Sequence, residues 1–296
     1  MTSETHSAFG RIGIWSGALH GSRVDEAGRK EIAEAVAELE ELGYGTLWIG
    51  GSPSPDDAAA VVAATRTVTV ATGILSIWDH TAEDVAARIA AVEASARGRF
   101  VLGLGVSHGP MVPQYTKPYS SMVAYLDALD AAKPPVSSGH RVLAALGPKM
   151  LRLSADRALG AHPYLVTAEH TAEAREALGP DALLAPELTV VPDTDLDRAR
   201  TTARKMLEMY LQLPNYTDNL LRLGFEENDF DDGGSDRLLD ALFALGDTER
   251  IKTRTQEYLD AGADHVALQV LTAEGGGATL PRTEWRRLAE AFGGAL

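Results

Sequence analysis

The chain has 296 residues, 45% of them hydrophobic and 23% charged, with 28 Gly, 14 Pro and no Cys. This describes a globular chain with a sizeable core, excludes a disordered, collagen-like or coiled-coil one, and leaves no thiolate nucleophile, disulfide framework or cysteine-held metal. A formal charge of −15 repels phosphate backbones and anionic lipid, so neither nucleic acid nor a membrane is an expected partner.

The polar start, Met1 to Phe9, has no basic region followed by an apolar stretch, and no later run approaches the roughly 18 apolar residues of a membrane helix. A cytoplasmic, soluble protein is the expectation. Short β-rich runs then alternate with Ala-rich amphipathic segments. Arg11–Ser16 reads as strand one, and Ala27–Leu42 as a helix closed by Gly43. Thr46–Gly50 is strand two, followed by a helix opening at Pro55-Asp56-Asp57, where proline and acidic residues suit a first turn. Val68–Ile77, Arg99–Gly105 and Arg141–Leu146 continue as strands three to five, with helices over Glu83–Ala96, Ser121–Ala132 and Lys149–Ala158.

Strand six is expected at Ala161–Val166, strand seven at Ala182–Val191 and strand eight at His265–Leu271, with a short helix over Glu169–Ala177 and a closing one over Thr283–Phe292. Eight nearly continuous apolar strands interleaved with helices predict an α/β fold, a (β/α)8 barrel. The period breaks once. Helices at Asp195–Leu213, Tyr216–Leu223, Asp236–Leu245 and Thr248–Ala261 predict a helical insertion at about 193–262 within a single domain spanning 1–296. Glu226–Gly234 reads as a solvated loop inside it.

A barrel of this class carries its site at the C-terminal ends of the strands. A catalytic metal is not expected there. No His-x-His pair lies on strand one and no His-Glu-x-x-His on a helix, while His265 falls at the wrong end of its strand. Gly103-Leu104-Gly105 lacks the third glycine of a dinucleotide fingerprint, because position 108 is His; these glycines are expected to serve packing. Gly147-Pro148-Lys149 opens a helix where backbone N–H groups, the helix dipole and a lysine suit an anion, a phosphate above all. Trp15 and Trp78 offer flat surface for stacking on a ring, and His20 and His80 lie in neighbouring loops.

Three stretches carry a resemblance: Val70-Ala71-Thr72-Gly73-Ile74-Leu75-Ser76, Gly98-Arg99-Phe100-Val101-Leu102-Gly103-Leu104-Gly105-Val106-Ser107-His108, and Val142-Leu143-Ala144-Ala145-Leu146-Gly147-Pro148. In order and spacing they resemble the bacterial luciferase-like family, most closely its coenzyme F420-dependent branch. The resemblance implies a barrel that holds a deazaflavin, coenzyme F420, or alternatively FMN across its mouth, and commonly a homodimer. It implies that Gly73 and Ile74 form a strand-three bulge behind the ring, often with a non-prolyl cis peptide. It places Ser107 and His108 beside the ring and Ala145, Leu146, Gly147 and Pro148, with Lys149, around the cofactor phosphate. Trp15, His20, Trp78 and His80 then fall to the pocket of a small-molecule substrate.

The pattern departs from that branch twice. Gly50-Gly51 stand where an acidic residue and a histidine are usual, and His108 stands where a carboxylate is usual. The implied chemistry is hydride transfer between the deazaflavin and an organic substrate, with His108 giving or taking the matching proton near neutral pH. An FMN-dependent monooxygenase and a non-catalytic flavin-binding barrel are the alternatives.

Overall fold

In the computed structural model, which describes residues 8–275 and 277–296, most helices begin on a side chain that accepts from the first turn. Asp25 caps α1 (Glu26–Glu41), Ser54 with Asp57 forms a capping box for α2 (Pro55–Ala63), and Thr81 caps α3 (Ala82–Ala96). Such caps satisfy N–H groups that a helix leaves unpaired, so the polar residue ahead of each amphipathic run fixes where the helix starts. Proline opens α4 (Pro118–Ala131) and α5 (Pro148–Arg157), while Thr167 caps α6 (Ala168–Leu178). Residues 1–7, most of the polar start from which a cytoplasmic location was read, lie outside the described residues.

Between these helices run β1 (Ile12–Ser16), β2 (Thr46–Gly50), β3 (Thr69–Gly73), β4 (Leu75–Ser76), β5 (Phe100–Gly105), β6 (Arg141–Leu143), β7 (Gly160–Ala161), β8 (Leu183–Leu184) and β9 (Glu187–Val191). After α7 (Leu196–Tyr210), α8 (Pro214–Arg222) and α9 (Asp236–Leu242) come β10 (Phe243–Leu245), α10 (Thr248–Asp260), β11 (Val266–Val270) and α11 (Arg282–Phe292). All pairings are parallel, in the order β10-β9-β11-β1-β2-β3-β5-β6-β7-β8, with β4 on β5. β8 and β9 are two pieces of one run broken at Ala185-Pro186. The first bonds to β7 and the second to β11, with Ala185 N–H donating to Ala161 and Glu187 N–H to Pro163, which closes the ring. The expected (β/α)8 barrel is the observed architecture.

Four details differ from the sequence expectation. Strands three and seven are each interrupted, at Ile74 and at Pro186, where a residue leaves the ladder. Strands five and six are shorter than expected, because the chain turns away at Ala144 and His162 to build the mouth. The expected helix Asp236–Leu245 stops at Leu242, and Phe243–Leu245 joins the sheet beside β9. Glu226–Gly234 is exposed over much of its length, as expected, but Glu227–Gly233 is largely wound into a 3-10 turn, with Asp229 buried and held by Ser235, Arg237 and the Glu226 N–H.

Inside the ring, Phe9, Trp48, Ala71, Val101, Val142, Ala185 and Ala267 pack together. A larger apolar layer lies between strands and outer helices. A third cluster, built on Ala203, Leu207, Tyr216, Leu239 and Phe243, joins α7, α8 and α9 to the ends of β9 and β11. It brings those helices over one side of the barrel mouth. Among the described residues no helix is long and apolar enough to cross a membrane.

Candidate functional site

β-Strand residues alternate between the barrel interior and the helical layer, so the last inward residue of each strand faces the mouth. On β5 the inward positions are Gly103 and Gly105. A Cβ on Gly103 would lie 1.8 Å from the Thr72 carbonyl oxygen, and one on Gly105 would lie 2.3 Å from the Ile74 side chain. Those glycines let β5 approach β3 and let Ile74 lie flat against the strand. They serve packing, as expected. The Gly73–Ile74 peptide is cis, and the partly exposed Ile74 side chain forms an apolar floor at the mouth.

Trp15, the inward residue near the end of β1, borders this floor at Gly73. Its indole N–H donates to the Gly73 carbonyl at 2.9 Å, and the ring lies where a side chain on Gly50 or Gly73 would sit. The glycine pair that departs from the family pattern at strand two therefore has a structural consequence: Gly50 makes room for Trp15. From Trp15 a line of rings runs across the mouth. Tyr164 is 5.3 Å from Trp15, Tyr210 5.5 Å from Tyr164, Tyr216 5.2 Å from Tyr210, and His108 5.3 Å from Tyr216. Tilted and edge-on packing at these separations is favourable. The Tyr210 hydroxyl donates to Tyr164 at 3.2 Å, and Tyr164 donates to Gln269 at 2.8 Å.

His108 reaches this wall from the turn after β5, where Ser107 takes a left-handed φ of 56°, an uncommon conformation for a residue with a side chain. Its Nδ1 lies 3.2 Å from Asn215 Oδ1. Burial lowers its pKa, and the Asn215 bond opposes that shift only in part. A lowered pKa leaves the imidazole neutral at pH 7, with a nitrogen able to accept a proton.

The phosphate-type loop is also formed. Gly147 precedes α5 with no side-chain cap, and a Cβ there would meet nothing within 4 Å. Lys149 is exposed, Ala145 is buried, and the Leu146 carbonyl lies 2.8 Å from Nε2 of the buried His170. An uncapped helix start with open space before it fits an anionic group, as the apolar Ile74 floor fits a flat ring.

The remaining candidates sit elsewhere. His20 is 2% exposed, with Nε2 against the Gly50 carbonyl and Nδ1 3.8 Å from Asp57; it ties the β1 loop to β2 and α2. His80 is half-buried beside Asp84 at 3.7 Å. Trp78 donates to the Val106 carbonyl at 2.6 Å and packs 5.9 Å from Tyr115, on the outer side of the β5 loop. Thus Trp15, Gly73, Ile74, Ser107 and His108 gather at the mouth, whereas His20, Trp78 and His80 brace its rim. Among the described residues no group of three or more His, Asp or Glu side chains could hold a metal ion.

Sequence reasoning did not single out Tyr210, Asn215, Tyr216 or Gln269 for the site. Tyr210, Asn215 and Tyr216 lie in the run between β9 and β10, and only an aromatic pair flanking Pro214 signals them. Nor did it single out Glu187, which is 1% exposed inside the barrel. Its carboxylate accepts from Thr189 and from the Leu165 N–H, and burial pushes its pKa up to about 7.

Residues 11–132 match the luciferase-like monooxygenase family. No curated protein matches the sequence. Solved structures do match in fold. An F420-dependent secondary alcohol dehydrogenase in complex with an F420-acetone adduct aligns at 14% identity and TM-score 0.69, over 91% of this chain and 96% of that one. Coenzyme F420 dependent tetrahydromethanopterin reductase from Methanopyrus kandleri aligns at 15% and 0.69, over 97% of each chain. The oxygenating constituent of 3,6-diketocamphane monooxygenase from Pseudomonas putida, in complex with FMN, aligns at 13% and 0.68, over 96% of each. Over residues 11–132 the sequence matches the luciferase-like monooxygenase model, and over nearly its whole length the chain shares the fold of these solved enzymes.

Proposed function

We propose that the protein is a coenzyme F420-dependent oxidoreductase that exchanges a hydride with a small organic substrate at the barrel mouth. The observation that carries this reading is the juxtaposition of a flat apolar floor, Ile74 laid on Gly105, with one imidazole, His108, at its edge. Hydride transfer needs a flat ring held in place and one group to balance the proton. Gly73, Ile74 and Ser107 would border the ring, and Ala145, Leu146, Gly147, Pro148 and Lys149 its phosphate end. The aromatic line from Trp15 to Tyr216 would form the substrate wall and exclude water. When bound, the deazaflavin supplies a two-electron carrier; the protein supplies position and the proton site.

The test is a parallel titration of purified protein with coenzyme F420 and with FMN at fixed salt, read by fluorescence. Reduced F420 is then offered with a panel of carbonyl and enone compounds, and oxidised F420 with the matching alcohols and amines. Tight F420 binding with substrate-dependent oxidation or reduction of the cofactor is the expected result. Preference for FMN would replace this reading with oxygen chemistry, and binding of neither would end it. A single working domain and a homodimer belong to the same reading; light scattering that gives a monomer would remove the dimer.

A further inference from the structure

His108 carries its proton on one of two nitrogens, and the partner of the other nitrogen decides which. We propose that Asn215, at the start of α8, holds His108 with its proton on Nδ1, so that Nε2 is a proton acceptor at the mouth. The inference rests on the hydride-transfer reading above and sharpens it.

The Asn215 oxygen that faces Nδ1 at 3.2 Å can only accept, so Nδ1 must donate. Nε2 has no hydrogen-bond partner among the described residues. The two groups seen against the ring, Asn215 Oδ1 and the Tyr216 ring, both on α8, are uncharged, and no charged side chain among the described residues shifts its pKa. The Tyr216 phenol, which is buried, is pushed well above its ordinary pKa and stays protonated. With no charged group among those it faces, the half-buried imidazole stays neutral near pH 7 and presents a lone pair at Nε2.

A lone pair there takes a proton rather than giving one. The substrate it serves carries a hydroxyl or amino hydrogen on the carbon that is oxidised. A bound deazaflavin in its oxidised form would supply the two-electron acceptor that takes the C–H hydrogen with its electron pair. The O–H or N–H proton passes to His108 Nε2, and a C=O or C=N bond forms. Asn215 is thus a positioning residue, supplied by a segment outside the eight barrel strands.

The experiment uses the full chain with 15N-labelled histidine rings, recording two-bond 1H–15N correlations across pH 5 to 9, with His108→Gln to assign the signal. The expected native signal is a protonated Nδ1 and a bare Nε2 at neutral pH. Asn215→Asp keeps that tautomer and raises the His108 pKa by about one unit through the added charge. Asn215→Ala loses the tautomer preference and lowers the pKa. Asn215 is exposed, so the fold tolerates both changes. A native ring protonated on Nε2, or an unmoved pKa in Asn215→Asp, overturns the proposal. Where turnover is measurable, the acid limb of kcat/KM must shift upward in Asn215→Asp by the same amount, and an unmoved limb counts against it. The spectra need no cofactor, so failure of F420 binding sinks the functional reading while leaving the tautomer result to stand or fall separately.

Discussion

At the foot and in the middle of the barrel, His265 and His162 are packed against Trp48. The indole N–H of Trp48 donates to His265 Nε2 at 3.0 Å, and its ring stacks on His162 at 4.1 Å and 6°. His265 and His162 are at most 1% exposed, and burial pulls both down to about 4. At the mouth, His108 faces the Asn215 amide and packs against the Tyr216 ring, and among the described residues its Nε2 has no hydrogen-bond partner. The same side chain is thus a neutral core filler at one end and, at the other, the proton site of the proposed reaction. Surroundings, not residue type, separate the two roles.

The sharpest way to break this contrast is Trp48→Ala. Removing a fully buried indole from a stack should cost about 3–5 kcal/mol, read as a fall in the urea unfolding midpoint. A loss below about 1 kcal/mol would mean the interior is not packed as described.

The pH dependence of stability sharpens it next. His162 and His265 bind protons more weakly folded than unfolded, so their contribution is complete above pH 6.5 and is lost as pH falls through 4. Glu187 behaves oppositely: its pKa rises from 4.5 to about 7, so its contribution is complete below 4.5 and is lost as pH rises through 7. Glu187→Gln should therefore steepen the decline between pH 6.5 and 4, by on the order of 1 kcal/mol. Unfolding midpoints that run parallel in the two proteins would show that the pKa of Glu187 is not raised by folding.

Gly105→Val probes the floor. Its side chain would overlap Ile74, costing about 1–3 kcal/mol and weakening cofactor binding at least about tenfold, about 1.4 kcal/mol. Unchanged binding in the same titration would detach the floor from the cofactor. The smallest stability effect is expected at His108. His108→Ala should shift stability by no more than about 0.5 kcal/mol while lowering turnover by about a hundredfold or more. Retained turnover with an unchanged pH profile would remove His108 from the chemistry.

Much of this was legible in the chain. Nearly continuous apolar runs, Asp, Ser and Thr caps and the glycines of β5 determine the barrel, because they act through neighbours close in sequence. The same local signals placed His265 at the foot and Gly73, Ile74, Ser107 and His108 at the mouth. The ends of β6 and β7, the break at Pro186 and the strand at Phe243–Leu245 were not legible, since whether a short apolar run pairs as a strand depends on which edge it meets. Nor could the sequence show that Gly50 makes room for Trp15, 35 residues earlier in the chain, or that His20 is spent on the Gly50 carbonyl. The aromatic wall and the Asn215 contact join β5 to α8 across 107 residues. Local chemistry fixed which residues could act, but only the closure of the barrel, and the apolar cluster that docks α7 and α8 over its mouth, decided which of them meet.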